Sequence, residues 1–211
     1  MEIVRGLILA LDVTDRHTAL RVAKETSNWI DAIKINYPLV LGAGPDIINE
    51  LSEIKPVICD FKVADIPNTN RLITEEAMGR GAEGIIVHGF VGSDSVKACM
   101  DAAGDKDVFM VTEMSHPGGN EYTAKLGEEL AQKAVEWGVT GIIAPATRPE
   151  RIKQLKEKVG DLMILSPGVG AQGGTAREAL DAGASAVIVG RAIYLSNTPG
   201  ESAKEIYPNK T

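Results

Sequence analysis

Asp60, Lys62 and Asp65 stand at the end of a short apolar run, Val57 to Phe61. A carboxylate inside such a run is costly unless a cation lies beside it. On a strand, Asp60 and Lys62 share one face, so carboxylate and ammonium would sit side by side and hold each other ionised. Pro67 then opens a helical pattern, a position that suits proline. A strand ending in opposite charges and running into a helix has the form of a barrel active site. By itself, Asp-x-Lys-x-x-Asp is equally compatible with a surface ion pair capping a strand, which is worth little.

Other polar residues fall at equivalent places. Gly6 to Asp12 is a nearly continuous apolar run ending in Asp12, and Ala32 to Asn36 carries Lys34 in its middle. His88 ends a fourth run, Gly84 to His88, and Ser115 follows a fifth, Val108 to Thr112. After the seventh run comes Ser166-Pro167-Gly168-Val169-Gly170-Ala171-Gln172-Gly173-Gly174, and after the eighth comes Val189-Gly190-Arg191. Glycines let backbone N–H groups approach an anion, and Arg191 can add a charge-assisted contact. If Asp12, Lys34, Asp60 and Lys62 are contiguous, each charge is flanked by an opposite one, which limits the desolvation cost.

The elements that must position these residues alternate along the chain. Strand patterns at Gly6–Asp12, Ala32–Asn36, Val57–Phe61, Gly84–His88, Val108–Thr112, Gly141–Ala144, Leu162–Leu165 and Ala186–Val189 are separated by helical ones. The helices are expected after a cap at Thr14 or Asp15, over Pro45–Ile54, Pro67–Arg80, Ser93–Ala103, up to Trp137, over Pro149–Val159 and around Thr175–Ala182, with a helical tail from Ser202. Eight strand-helix units without a linker predict an α/β fold, a single (β/α)8 TIM barrel, spanning residues 1–211 as one domain. In such a barrel every polar residue named above lies at the C-terminal mouth of the strands, where active sites sit.

Composition narrows the partners. Twenty-two basic and 29 acidic residues give a net charge of −7, and aromatics are only 4%. With no basic run, a nucleic-acid platform is not expected, and an anionic ligand must be captured locally. No apolar run reaches membrane-spanning length, so no membrane association is expected and a cytoplasmic location is. Cys59 and Cys99 lie in apolar contexts and read as packing residues rather than a disulfide. His17, His88 and His116 show no ligand spacing. His17 is expected on a solvated helix and His88 at the barrel mouth, so no metal site is expected. There is no dinucleotide fingerprint or Walker-type loop, and no cofactor is expected.

With these residues in place, the chain resembles the orotidine 5′-phosphate decarboxylase family, most closely its short archaeal form, over nearly its whole length. The resemblance rests on Leu9-Ala10-Leu11-Asp12, Ile33-Lys34-Ile35, Asp60-Phe61-Lys62-Val63-Ala64-Asp65-Ile66-Pro67-Asn68-Thr69, Thr112-Glu113-Met114-Ser115-His116-Pro117-Gly118, the glycine-rich run from Ser166, and Val189-Gly190-Arg191. It departs at Asn36, where relatives often carry glycine.

The resemblance implies a set of roles. Lys62, Asp60, Asp65 and Lys34 are the implied catalytic residues. Asp12 and Lys34 would hold ribose hydroxyls, Asp60 would lie against the substrate carboxylate, and Lys62 would protonate C6. Asp65 and Thr69, with Ile66 between them among the substrate-binding residues, would reach into a neighbouring subunit's site, making a homodimer with composite sites. Ser115 and Gln172 would bind the pyrimidine and the closing loop. Gln172, Gly190 and Arg191 would contact phosphate, with Pro167 to Gly174, including Val169, as a lid. The substrate would be the nucleotide orotidine 5′-phosphate, with no cofactor.

Three other readings compete. A magnesium-dependent hexulose-phosphate synthase or ketogulonate-phosphate decarboxylase looks similar at Asp-x-Lys-x-x-Asp but places a metal-binding glutamate where this chain has Lys34, and a cation there repels Mg2+. A non-catalytic phosphate sensor predicts loss of Lys62 or its acidic partners. A metal-dependent sugar-phosphate epimerase needs convergent His and Asp ligands at several strand ends, where only His88 is available.

Overall fold

The computed structural model describes residues 1–170 and 172–206. Its strands are β1 (Leu7–Ala10), β2 (Ala32–Ile35), β3 (Val57–Val63), β4 (Gly84–His88), β5 (Asp107–Val111), β6 (Gly141–Ile143), β7 (Met163–Pro167) and β8 (Ala186–Val189). Each pairs with the next in parallel, and β8 returns to β1, so the sheet closes into an eight-stranded barrel. Closure removes both sheet edges.

The strands are apolar on both faces because each face is covered. One set of side chains, including Ile8, Ala10, Ala32, Ile58, Ile86, Phe109, Ile143, Leu165 and Ile188, packs inside the barrel. The alternate set, including Leu7, Leu9, Ile33, Ile35, Val57 and Cys59, packs outward under the helices. Each fully buried Leu or Ile contributes roughly 1.5–3 kcal/mol of transfer free energy. The period of two then does the positioning. One inward step beyond Ala10 is Asp12, beyond Ala32 is Lys34, beyond Ile58 is Asp60 with Lys62 a step further on, and beyond Ile188 is Gly190.

The helices are α1 (Arg16–Thr26), α2 (Tyr37–Ala43), α3 (Ile47–Ser52), α4 (Pro67–Gly79), α5 (Ser93–Ala103), α6 (Thr123–Trp137), α7 (Pro149–Val159), α8 (Ala176–Asp181), α9 (Arg191–Tyr194) and α10 (Pro199–Ile206). Of the two cap candidates at α1, Asp15 is the one used: its side chain accepts from the Thr18 N–H at 2.8 Å. Cys59 and Cys99 are both free and buried. No helix among the described residues is long and apolar enough to cross a membrane.

The helices differ from expectation in three places. The expected helix over Pro45–Ile54 appears as the shorter α3, and α2, which was not expected, precedes it. Pro38 sits in the first turn of α2, where its missing N–H costs nothing. Gly44, at φ 86°, ends that helix with a conformation open to glycine. After β8, Arg191 starts the one-turn helix α9 rather than continuing a loop. The C-terminal helix begins at Pro199, three residues before Ser202.

Candidate active site

Four charges form a continuous chain across the mouths of β1, β2 and β3. The Lys34 ammonium donates to Asp60 Oδ2 at 2.9 Å and to Asp12 Oδ1 at 3.4 Å. Lys62 donates to both oxygens of Asp60, at 2.7 and 2.9 Å. The side chains of Lys34 and Asp60 retain only 7% and 8% of their accessible surface, whereas Lys62 and Asp12 retain 35% and 36%. Asp60 is therefore a buried carboxylate held between two ammonium groups.

Burial alone raises the Asp60 pKa, but Lys34 and Lys62 more than reverse this and hold it below the usual carboxylate range. Burial likewise lowers the Lys34 pKa, and Asp60 with Asp12 brings it above its ordinary value. Both groups are ionised at neutral pH. Removing one partner of such a buried pair costs about 3–5 kcal/mol, whereas replacing the pair with apolar residues is often neutral. Stability gives no reason to keep these charges in a barrel mouth. Their fixed arrangement in a cavity does.

The backbone is shaped for this arrangement. Lys62 is the one non-glycine residue with positive φ, at 44°, among the described residues. The pairing register of β3 with β4 shifts between Cys59 and Val63. The strand thus bulges at Asp60–Lys62, and the left-handed conformation costs roughly 1–2 kcal/mol for a side chain with a Cβ. Strain of this kind persists where surrounding structure over-determines it.

Above the charges lies a cavity of about 220 Å³. Asp12, Lys34, Asp60, Lys62 and Asn36 form one side, and Ile86, Ile143 and Ile188 rise from the barrel interior. Ser115, Pro167, Val169, Gln172, Gly190 and Arg191 complete the wall. The glycine-rich loop after β7 folds back on itself: the Gly170 N–H donates to Gly174 O at 2.8 Å and the Gly174 N–H to Gly168 O at 3.1 Å. Gly168 and Gly170 take φ of 107° and 73°, which a side chain would oppose. Ala171, part of the expected lid, lies outside the described residues. Arg191 is exposed, starts α9 and has no ion-pair partner among the described residues.

Asp65, Ile66 and Thr69 do not line this cavity. They stand at the start of α4, with Asp65 exposed and Ile66 retaining 64% of its accessible surface. The turn that carries them is pinned from below. Asn70 Oδ1 accepts from the Asp65 N–H at 2.9 Å, and the Ser95 hydroxyl donates to the Asp65 carbonyl at 2.9 Å. His88, expected at the mouth, ends β4 but is not part of the cavity wall; its ring lies against Phe90 with centroids 4.7 Å apart. His17 is exposed on α1 as expected. No group of His, Cys, Asp or Glu among the described residues could hold a metal ion.

Several contributors are not among the site residues read from the sequence. Asn70 and Ser95 are buried and support the α4 turn. Glu113 and Met114 join the cavity wall next to Ser115. The partners of Glu113, Arg148 and Arg151, lie 35 and 38 positions away. No periodicity brings them together.

A family profile described as Orotidine 5′-phosphate decarboxylase / HUMPS family matches residues 5–206. The chain is 57% identical over 209 residues to the orotidine 5′-phosphate decarboxylase of Methanococcoides burtonii, covering 98% of this chain and 97% of that one. It is 50% identical over 204 residues to that of Thermococcus kodakarensis, covering 95% and 94%. The crystal structure of the Methanocaldococcus jannaschii orotidine 5′-monophosphate decarboxylase complexed with the inhibitor BMP superposes with a TM-score of 0.92, at 48% identity, covering 97% of this chain and 99% of that one. The Pyrococcus horikoshii enzyme gives 0.89 at 48% identity, covering 95% and 97%.

The burial of His88 has a pH consequence. Burial first, and then the Lys62 charge, lowers its pKa to about 4 against a small opposing effect of Asp60. The unfolded chain takes up the proton near the ordinary histidine value of about 6.5, so the folded state loses stability as pH falls from there towards 4. An NMR titration of the His88 ring is expected to show a midpoint near 4. His88→Gln is expected to flatten the fall in melting temperature between those two pH values; a midpoint at the ordinary histidine value would contradict this.

Proposed function

This chain belongs to the orotidine 5′-phosphate decarboxylase / HUMPS family, and on that premise we propose that it converts orotidine 5′-phosphate to uridine 5′-phosphate and CO2, the last step of de novo UMP synthesis. The observation that carries this reading is Asp60 held ionised between Lys34 and Lys62 at the bottom of the cavity. Lys34 also speaks against the magnesium-dependent members of the family. Its ammonium occupies the place a metal-binding carboxylate would need, and its two partners leave no acidic pair free for Mg2+.

The chemistry follows from the charges. The bond from C6 to the carboxylate breaks, CO2 leaves, and the electron pair stays on C6. The Lys62 ammonium is a preorganised positive charge where that negative charge develops, so it stabilises the carbanion-like state without reorganisation. It then gives a proton to C6 and is left neutral, to be reprotonated from solvent. No cofactor is required as an electron sink. Asp60 fixes Lys62 through both carboxylate oxygens. In the complex it lies against the substrate carboxylate, a repulsion relieved as CO2 departs. Lys34 neutralises Asp60 from the other side and, with Asp12, faces the ribose hydroxyls.

The remaining wall supplies binding. Arg191, Gly190 and Gln172 face the phosphate, with N–H groups and a guanidinium suited to an anion. Ser115 and Gln172 face the pyrimidine, and the described residues at the end of β7 and in the loop after it, Pro167 and Val169 among them, cover both. Phosphate binding far from C6 then contributes energy to closure.

The active unit is a homodimer. Asp65 and Thr69 act in the partner's site, a role supported by their position outside their own cavity. An apolar groove of about 460 Å³ lined by Tyr37, Val40, Ile48, Leu72 and Ile73 runs beside α4, and Leu41, Ile66 and Phe90 are also exposed. Exposed apolar surface of this extent suits an interface. A cytoplasmic location fits the pathway step.

Purified protein in excess EDTA is expected to convert orotidine 5′-phosphate to uridine 5′-phosphate, followed by ultraviolet absorbance. Lys62→Ala should abolish turnover while still binding the nucleotide. Turnover by that variant would remove Lys62 from its role, and no conversion by the wild-type chain would overturn the proposed reaction. Composite sites make a second prediction. Mixed dimers of Asp60→Ala and Asp65→Ala subunits should regain about a quarter to a half of wild-type activity, since one site in each heterodimer is intact. Verified heterodimers with no recovered activity would argue against shared sites.

A further inference from the structure

Glu113 is a carboxylate with none of its side chain exposed, in the wall of the cavity yet outside the charged chain of Asp12, Lys34, Asp60 and Lys62. Arg151 grips it through Nε at 2.9 Å and through a terminal nitrogen, both on Oε1. Arg148 reaches its other oxygen at 3.4 Å and also donates to the Met114 carbonyl at 2.9 Å and to Asn120 Oδ1 at 2.6 Å. Both arginines belong to the start of α7. On the far side Glu113 packs against Gly127 of α6 so closely that no Cβ would fit there.

The local backbone explains why the side chain leaves the barrel axis. The strand β5 ends at Val111, and the amides of Thr112 and Glu113 both donate to the Ile143 carbonyl. The chain therefore turns, and Glu113 enters the seam between α6 and α7. The next two residues form the cavity wall. Met114 is held through its N–H to the Thr123 hydroxyl at 3.1 Å, and the Ser115 carbonyl accepts from the Thr147 hydroxyl at 3.3 Å. An ionic post thus sits directly beneath the wall that carries Ser115.

We infer that Glu113, gripped by Arg151 and Arg148, is a positioning residue that sets the wall of Met114 and Ser115 against the base of a bound nucleotide. This rests on the reading of the cavity as a pyrimidine-nucleotide site. A buried ion pair is a poor source of stability, but losing either partner strands a charge, so the pair favours the geometry that keeps both together. Among the described residues Glu113 shares no hydrogen bond or ion pair with Lys62 or Arg191. Disturbing it should weaken base recognition while leaving the sugar-phosphate contacts and the proton transfer in place.

The test uses Glu113→Gln and Arg151→Gln in the full chain, with calorimetric binding of uridine 5′-phosphate and of ribose 5-phosphate, beside turnover of orotidine 5′-phosphate. Arg151 keeps 21% of its side-chain surface, so its variant carries the test if Glu113→Gln fails to fold. The expected result is about a tenfold loss of affinity for uridine 5′-phosphate, ribose 5-phosphate binding unchanged within about twofold, and KM raised by more than kcat falls. Arg151→Lys should recover part of the loss, since a point charge replaces a fork. Equal loss for both ligands, or no loss in folded variants, would overturn the positioning role. A wild-type chain that binds uridine 5′-phosphate without decarboxylating the substrate would instead overturn the proposed reaction, and the two-ligand comparison would still judge Glu113.

Discussion

A carboxylate buried in a protein must be compensated, and at Asp60 the compensation shapes the barrel mouth. Its two oxygens are shared by Lys34 and Lys62, and Lys34 passes the balance on to Asp12. Each ion is expensive to bury alone, and together they satisfy one another. The arrangement fixes Lys62 in a strained backbone conformation at a bulge, with its ammonium partly open to the cavity. An enzyme that must stabilise negative charge on carbon needs such a cation in place before the reaction begins. The proposed decarboxylation draws that cation from the array, and the closed barrel holds the array in place.

The rest of the mouth is organised by loops that brace one another. The segment after β6 lies between the loop after β5 and the loop after β7. The Thr147 hydroxyl donates to the Ser115 carbonyl on one side, and the Ala146 N–H donates to the Pro167 carbonyl at 2.8 Å on the other. Beneath it, Arg148 and Arg151 hold Glu113. The loop after β5 and the loop after β7 are thus each tied to a third element with its own ionic anchor.

Much of this was legible in the sequence because barrels obey simple periodicities. Continuous apolar runs such as Gly6–Asp12 mark strands buried on both faces, and the period of two then carries Asp12, Lys34, Asp60 and Lys62 inward to one mouth. The alternation of their signs announced the network. Features that depend on distant partners were not legible. The helix α2 was not legible: Pro38 opens it and Gly44 ends it, and its seven residues are too few to show a helical period. The position of Asp65 and Thr69 away from the cavity agrees with an expectation that came from the family resemblance alone, since no periodicity predicts it. Glu113 read only as part of a motif, because the arginines that give it meaning come from another helix. His88 had the right strand end for the mouth, but packing against Phe90 keeps it out of the cavity wall.

The most direct measurement is a carbon-detected NMR titration of the Asp60 carboxyl group, assigned by comparison with Asp60→Asn. Flanked by Lys34 and Lys62, the group should stay ionised until the pH is well below the ordinary carboxylate range. A midpoint at or above that range would mean that burial outweighs the two ammonium groups. The ionised pairing of Asp60 with Lys34 and Lys62, which holds the Lys62 ammonium in place for the proposed decarboxylation, would then be contradicted.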